Sequence, residues 1–428
     1  MMRTESLFIR GARVVDPANE RDEIADILIV DGVIREIGKL DAPAHVPVIE
    51  ADGLIAAPGL VDMHVHLREP GYEYKETIAG GTRAAAAGGV TSVAAMPNTK
   101  PVNDDPSVTG YMLDKARVAG FANLFPIGAV SKGLQGKEIT EMGLLQAAGC
   151  VAFSDDGLPI MNSGLMRRAL DYSRAFGGLI IQHAEDSGLV GCGCMNEGEV
   201  ATRLGLSGIC NAAEDILVER DIRLVELTGG RYHVAHISSA GAVASVAKAR
   251  EKGLRVSCEA APHHLVLNDT HVGNYDTNAK MAPPLRNQRD VNAIQEALAR
   301  GVISVIATDH APHEEDSKRV PFCQAANGVV GLETLLPITL ELVEAGVLPL
   351  AKALAAISCN PARLLGMPRG TLSLNAVGDV VLFDPQQSWT VDALALHGSS
   401  KNTAFAGRQV KGRVKYTILA GRIVHQEA

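Results

Sequence analysis

The chain has 428 residues, 46% of them hydrophobic and 21% charged, which excludes disordered and low-complexity classes and is ordinary for a globular enzyme with a large core. Its formal net charge of −9 argues against a nucleic-acid partner, because such binding relies on clustered Lys and Arg to neutralise phosphates. No apolar run reaches the length of a membrane span, and Met1-Met2-Arg3-Thr4-Glu5-Ser6 opens without the apolar region of a secretory signal, so a cytoplasmic location is expected.

In chain order, residues 7–9, 12–15, 25–30 and 33–37 read as short β-runs separated by Gly, Asp and Pro, with Asp31-Gly32 a hairpin signal. Residues 380–384, 414–420 and 421–424 look alike at the other end. Neither terminal piece has enough strands to be stable alone, so residues 1–57 and 372–428 are paired into one small discontinuous β-sandwich domain. Between them, residues 58–371 repeat a strand, loop and helix pattern. Strand-like runs end near His66 and cover 90–96, 124–130, 150–153, 179–183, 232–236, 254–260 and 302–309, and helix-compatible stretches such as 213–227 and 291–299 intervene. Eight continuous apolar strands alternating with helices predict a (β/α)8 TIM-type barrel. Two longer irregular segments, 265–287 and 311–328, follow barrel strands and are expected to be lids or binding loops. The seven cysteines are scattered and odd in number, which suits reduced thiols, and Cys192-Gly193-Cys194 completes no zinc knuckle and reads as structural.

The stretch Pro58-Gly59-Leu60-Val61-Asp62-Met63-His64-Val65-His66-Leu67-Arg68-Glu69-Pro70-Gly71 organises the rest. Side chains at i and i+2 share a strand face, so His64 and His66 can converge on one metal ion, with Asp62 as a supporting partner. A barrel's site lies at the C-terminal ends of its strands. Those ends carry His64 and His66, Asp155-Asp156, His183-Ala184-Glu185-Asp186, His236, and Thr308-Asp309-His310-Ala311-Pro312-His313. Four histidines and two carboxylates supply two borderline divalent ions, which at about 3.5–4 Å apart activate a hydroxide and polarise a carbonyl. Taken singly, His183 and His236 read rather as core histidines than as ligands, and Asp155 and Asp156 can be read as helix caps. His233, His263, His264 and His310 compete as ligands, and periodicity does not choose between His233 and His236.

Together with Met96-Pro97-Asn98-Thr99, Phe153 to Gly157, His236-Ile237-Ser238-Ser239 and Pro283-Pro284-Leu285-Arg286, these motifs make nearly the whole chain resemble the dihydroorotases of the amidohydrolase superfamily. The likeness is to the bacterial branch in which an aspartate replaces a carboxylated lysine between the metals. The resemblance implies two zinc ions per subunit, with His64, His66 and Asp309 on one, His183 and His236 on the other, and Asp156 bridging. It also implies Asp309 as general acid/base and His66, Arg68, Asn98, His313, Asn327 and Gly328 as substrate contacts. Ala282 stands where the family often has Asn, and Asn327 where Phe is common. The implied activity is reversible cyclisation of N-carbamoyl-L-aspartate to L-dihydroorotate in pyrimidine synthesis, on a small-molecule substrate, in a homodimer by family analogy. Other cyclic-amide hydrolases (dihydropyrimidinase, hydantoinase, allantoinase) and a catalytically silent scaffold are the alternatives.

Overall fold

The computed structural model describes residues 5–427. Eight parallel strands form a nearly closed barrel: β1 (Leu60–Val65), β2 (Val90–Ala95), β3 (Asn123–Gly128), β4 (Ala152–Ser154), β5 (Leu179–Gln182), β6 (Arg231–Val234), β7 (Val256–Ala260) and β8 (Val305–Ile306), each paired with the next in that order. Every residue of β1, β2, β4 and β5 is buried, because helices cover one face and the barrel interior fills the other. Val61, Met63, Ile127, Ile181, Ala235 and Val305 belong to the interior cluster.

The helices that follow the strands are α1 (Ile78–Ala87), α2 (Pro106–Ala119), α3 (Met142–Ala148), α4 (Ser163–Ser173), α5 (Ala212–Thr228), α6 (Ala240–Glu251), α7 (Gln288–Ala299) and α8 (Leu335–Glu344). Caps set several of the starts: the side chains of Thr77, Asp105, Asn162, Ser239 and Asn287 each accept from a first-turn amide. The Asn287 cap explains why α7 begins before the expected residue 291.

The expected run 302–309 yields only the two paired residues of β8. Beyond them Thr308 leaves the ladder: its amide donates to Asp62 Oδ1 (3.1 Å) and its hydroxyl to Asp62 Oδ2 (2.5 Å). Asp62 also accepts the His64 amide at 3.2 Å. The buried carboxylate thus ties the ends of β1 and β8 together, and ring closure falls to the Val65–His310 bridge, where the His66 amide donates to His310 O at 2.8 Å.

Strands from both termini make one further eight-stranded sheet. Ile55–Pro58 is its hinge, parallel to Leu7–Asp16 on one side and antiparallel to Val380–Thr390 on the other, with Val380 opposite Pro58. Only Gly59 separates this strand from β1. Ile27, Ile29, Ile34, Leu382 and Ile418 form a core of its own.

Two features lie beyond the sequence reading. A two-stranded ribbon, Met195–Asn196 against Gly208–Ile209, is inserted between β5 and α5. Beside it Cys194 is disulfide-bonded to Cys323, with Cα atoms 5.2 Å apart at a sequence separation of 129. The expectation of reduced thiols is corrected for this pair, since spacing carries no sign of a contact made by two segments meeting over one rim. The long segments 265–287 and 311–328 also pack together there, with Leu267, Val272, Leu285, Phe322 and Val329 in one apolar cluster. Among the described residues no helix is long and apolar enough to cross a membrane.

Candidate metal centre and active site

The strand ends bring His64, His66, Asp156, His183, His236 and Asp309 together, all buried. Two groups of donor atoms lie close enough to hold an ion, His64 with His66 and Asp156, and Asp156 with His183 and His236. Asp156 is common to both. Three residues of the site, Arg68 (φ 64°), His236 (φ 32°) and Asp309 (φ 49°), adopt the left-handed backbone region. Each such non-glycine residue costs on the order of 1–3 kcal/mol, a strain that tends to be kept where geometry serves function.

Hydrogen bonds fix which ring nitrogens are free. Nδ1 of His64 lies 2.6 Å from Glu259 Oε1, and Nδ1 of His66 lies 2.9 Å from Asn98 Oδ1. An oxygen acceptor requires the proton on Nδ1, so each Nε2 offers a lone pair to a metal ion when the ring is neutral and donates to the facing carboxylates when it is protonated. Those two Nε2 atoms face carboxylate oxygens: Asp156 Oδ2 at 3.5 and 3.4 Å, and Asp309 Oδ1 at 3.4 and 3.2 Å. In the other half, His183 Nε2 donates to Glu185 Oε2 at 3.1 Å, and its Nδ1 lies 2.9 Å from His236 Nε2 and 3.6 Å from Asp156 Oδ1. Asp156 Oδ1 is 3.4 Å from His236 Nε2. Among the described residues, His64 Nε2 and Asp156 Oδ1 are buried without a hydrogen-bond partner. Ring nitrogens and carboxylate oxygens converging on one buried space call for positive charge, which protons or metal ions can supply, so the donor set fits divalent metal ions.

The electrostatics agree. Burial alone would lower the His64 pKa, but Asp156 and Glu259 lift it well above the ordinary value. Burial would lower His183 as well, and Asp156 and Glu185 raise it to about 10. Asp309 is pushed up by burial and pulled down harder by the His66 hydrogen bond and the charges of His64 and His236, so it stays ionised well below the usual carboxylate range.

Next to this centre, Arg68, Asn98, His313, Asn327 and Gly328 line the same cavity of about 320 Å³, with Ala282 on its wall. Arg68 Nε donates to Pro312 O at 3.1 Å. His313 Nε2 donates to Asn327 O at 2.8 Å, and its Nδ1 accepts from Lys75 Nζ at 3.4 Å. In that tautomer His313 Nε2 offers no lone pair to Arg68 Nη2, 3.3 Å away, so the guanidinium keeps donors free for a ligand. Burial lowers Arg68 only to about 10, which leaves it charged at neutral pH. Burial and the neighbouring cations Arg68, Lys75 and Lys318 push His313 down to about 2, so its ring is neutral.

Four of the competing residues have other employment, while His263 is buried against the His264 ring (centroids 4.4 Å apart), outside both donor groups and with its Nε2 unpartnered among the described residues. Asp155 accepts the amides of Val130 and Ser131, both at 2.9 Å, and joins the loops after β3 and β4. His233 is held by Ser257 Oγ at 2.8 Å and Glu259 Oε2 at 3.3 Å. His264 Nε2 donates to Pro283 O at 2.9 Å, and His310 Nδ1 accepts the Gly331 amide at 3.1 Å. Arg286, from the Pro283-Pro284-Leu285-Arg286 motif, is buried away from the cavity on Ser238 Oγ, Ile209 O and Glu214. Asp62 is a supporting partner as expected, but through the His64 and Thr308 amides and the Thr308 hydroxyl and not through a ring. Glu259 and Glu185 support the rings instead, a pattern that fixes ligand tautomers around metals. Glu259 went unnoticed because it reads as an ordinary strand residue 195 positions from His64. Glu185, two residues after His183, was at hand in its motif.

Among known proteins, the dihydro-orotase-like family profile matches residues 53–242. The dihydroorotase of Geobacter metallireducens is 52% identical, covering 98% of this chain and 100% of that protein. The dihydroorotase of Anaeromyxobacter dehalogenans (strain 2CP-1) is 52% identical and covers 99% of each chain. Among solved structures, the L-hydantoinase (dihydropyrimidinase) of Arthrobacter aurescens matches with a TM-score of 0.87 at 25% identity, covering 99% of this chain and 97% of its own. Identity of about half along almost the entire length, joined to a barrel whose strand ends gather this donor set, means that the chain belongs to the dihydroorotase family.

Proposed function

We propose that this chain is a dihydroorotase, interconverting N-carbamoyl-L-aspartate and L-dihydroorotate in pyrimidine synthesis with two zinc ions. His64, His66 and Asp309 would hold one ion, His183 and His236 the other, with Asp156 shared. When bound, the ions supply Lewis acidity toward the ring amide carbonyl and make water more acidic. The observation that carries the reading is one cavity in which a charged Arg68 with free donors stands beside the carboxylate and imidazole cage. Dihydroorotate has a carboxylate and a cyclic amide on one small ring, and each has a counterpart there.

In the hydrolytic direction, Arg68 grips the substrate carboxylate through its guanidinium fork. The Asn98 amide NH2 is free to join it, because only its Oδ1 is engaged with His66. Asp309 takes a proton from the attacking water and delivers it to the leaving amide nitrogen; cyclisation runs the same transfers in reverse. His313 and Asn327 shape the carboxylate end through the hydrogen bond between them. A homodimer and a cytoplasmic location belong to the same reading by family analogy.

The deciding assay offers purified, zinc-loaded protein L-dihydroorotate beside hydantoin and allantoin. Dihydroorotate is expected to be preferred, and a preference for hydantoin would replace this reading with the second one, a hydantoinase, which the fold likeness favours. No turnover of any of the three would leave a silent scaffold. Asp156→Ala, which removes the shared carboxylate, is expected to lower metal content at both positions along with turnover. Unchanged metal stoichiometry by elemental analysis would overturn the shared role.

A further inference from the structure

Two buried ammonium groups lie beneath the segment that ends in Asn327 and Gly328, and the mechanism above does not use them. Lys280 is 6% exposed and Lys318 is 7% exposed. Among the described residues, neither has a carboxylate within ion-pair distance; Asp276 is the acid whose charge reaches Lys318, and none does so for Lys280. Burying a cation without a counter-ion is costly unless its donors are satisfied. Here they are satisfied by main-chain carbonyls. Lys280 Nζ donates to Cys323 O (2.9 Å) and Ala325 O (2.6 Å), and Lys318 Nζ to Ala326 O (2.7 Å) and Thr277 O (2.9 Å). The Gly328 amide in turn donates to the carbonyl of Lys280 at 3.0 Å.

Four of the six residues from Cys323 to Gly328 are therefore fixed at their backbone by these two lysines. Apolar packing of Phe322 and Val329 anchors the two ends of this stretch, but it does not fix the direction of the carbonyls between. That direction matters, because Asn327 O receives the His313 ring and both Asn327 and Gly328 face the cavity. The charges also reach the carboxylate end: Lys318 is among the groups that press His313 toward its neutral form, although burial and the neighbouring Lys280 lower Lys318 itself to about 7 and leave it only partly charged at neutral pH. A single neutral donor at each place would pin one carbonyl. An ammonium pins two and adds a positive charge beside the guanidinium.

We propose that Lys280 and Lys318 are positioning residues that hold residues 323–328 in their binding form before substrate arrives, and that the unpaired charge of Lys280 adds to that of Arg68 in selecting an acidic substrate. This rests on the dihydroorotase reading above. Such a role acts on binding and not on proton transfer, so it separates KM from kcat.

The test uses full-length, zinc-loaded enzyme with Lys280→Met and Lys318→Met, and with Lys280→Arg and Lys318→Arg as charge-retaining partners. The Met variants are expected to raise KM for dihydroorotate about tenfold while kcat falls less than about threefold. Metal content should be unchanged. In the absence of substrate, limited proteolysis within residues 311–328 should be faster in the Met variants, and at least one Arg variant should restore both KM and protection. Unaltered KM and unaltered proteolysis in folded Met variants would overturn the proposal, as would a loss confined to kcat. If a Met variant fails to fold, the corresponding Arg variant decides: native KM and protection support the role, and a KM raised with the cation retained opposes the share given to charge. Wild-type protein that ignores dihydroorotate would strike the functional reading alone, since the proteolysis comparison needs no turnover.

Discussion

Asp309→Asn is expected to lower turnover of dihydroorotate by on the order of 10²-fold or more with the fold intact. The carboxamide keeps the size and one oxygen of the carboxylate but has no basic oxygen to accept a proton from water. Asp309 is suited to that task by position: it follows β8, and its Oδ1 lies 3.2 Å from His66 Nε2 inside the cage. Its left-handed backbone (φ 49°) aims it there and is a conformation that Asn tolerates as well as Asp, so the substitution adds little strain. The check is kcat together with metal content and Tm. Near-normal turnover would send the proton elsewhere. His313 is the alternative that the sequence suggests, but its Nε2 proton is committed to Asn327 O and its pKa lies near 2. The loss of one metal ion along with activity would instead assign Asp309 to holding that ion more than to moving the proton.

What the sequence discloses of this site follows from where the information sits in the chain. The barrel is legible because buried parallel strands are continuous apolar runs, and the gathering of His64, His66, Asp156, His183, His236 and Asp309 is legible because each terminates such a run. The choices that strand position alone left open depend on partners far away in sequence. His233 and His236 lie on one strand segment three residues apart. His233 is turned toward Ser257 and Glu259, while His236 stands 3.4 Å from Asp156. Asp155 and Asp156 are neighbours, yet one is consumed by the amides after β3 and the other is left to the histidines. Asp62, close in sequence, supports the site through the His64 and Thr308 backbone, and its partner role does not extend to a ring. The His64 ring is held by Glu259 on β7, and Asp62 also shortens β8 by drawing Thr308 out of the ladder. The Cys194–Cys323 contact and the ribbon at 195–209 are hidden for a similar reason: neither has a local pattern, and both arise from segments that meet over the rim.

Selection of an acid over a neutral ring is the remaining question, and it turns on Arg68. Its Nε is anchored on Pro312 O, and the tautomer of His313 withholds a lone pair from Nη2, so among the described residues the outer donors of the guanidinium have no acceptor to compete with a ligand. Hydantoin lacks the carboxylate of dihydroorotate. A desolvated guanidinium facing a neutral ring loses its hydration without gaining a counter-charge, which penalises the wrong substrate as well as favouring the right one. Ala282 lines the cavity with no amide to share the work, which concentrates the recognition on Arg68. Arg68→Met, unbranched and neutral, is therefore expected to reduce kcat/KM for dihydroorotate by at least about 10²-fold, roughly 2.7 kcal/mol or more. Activity on a neutral cyclic amide should change little, and metal content should hold. Equal proportional losses on both substrates would mean that Arg68 supports the cage, for instance through the loop it ties to Pro312, and selectivity would then have to come from the shape of the cavity.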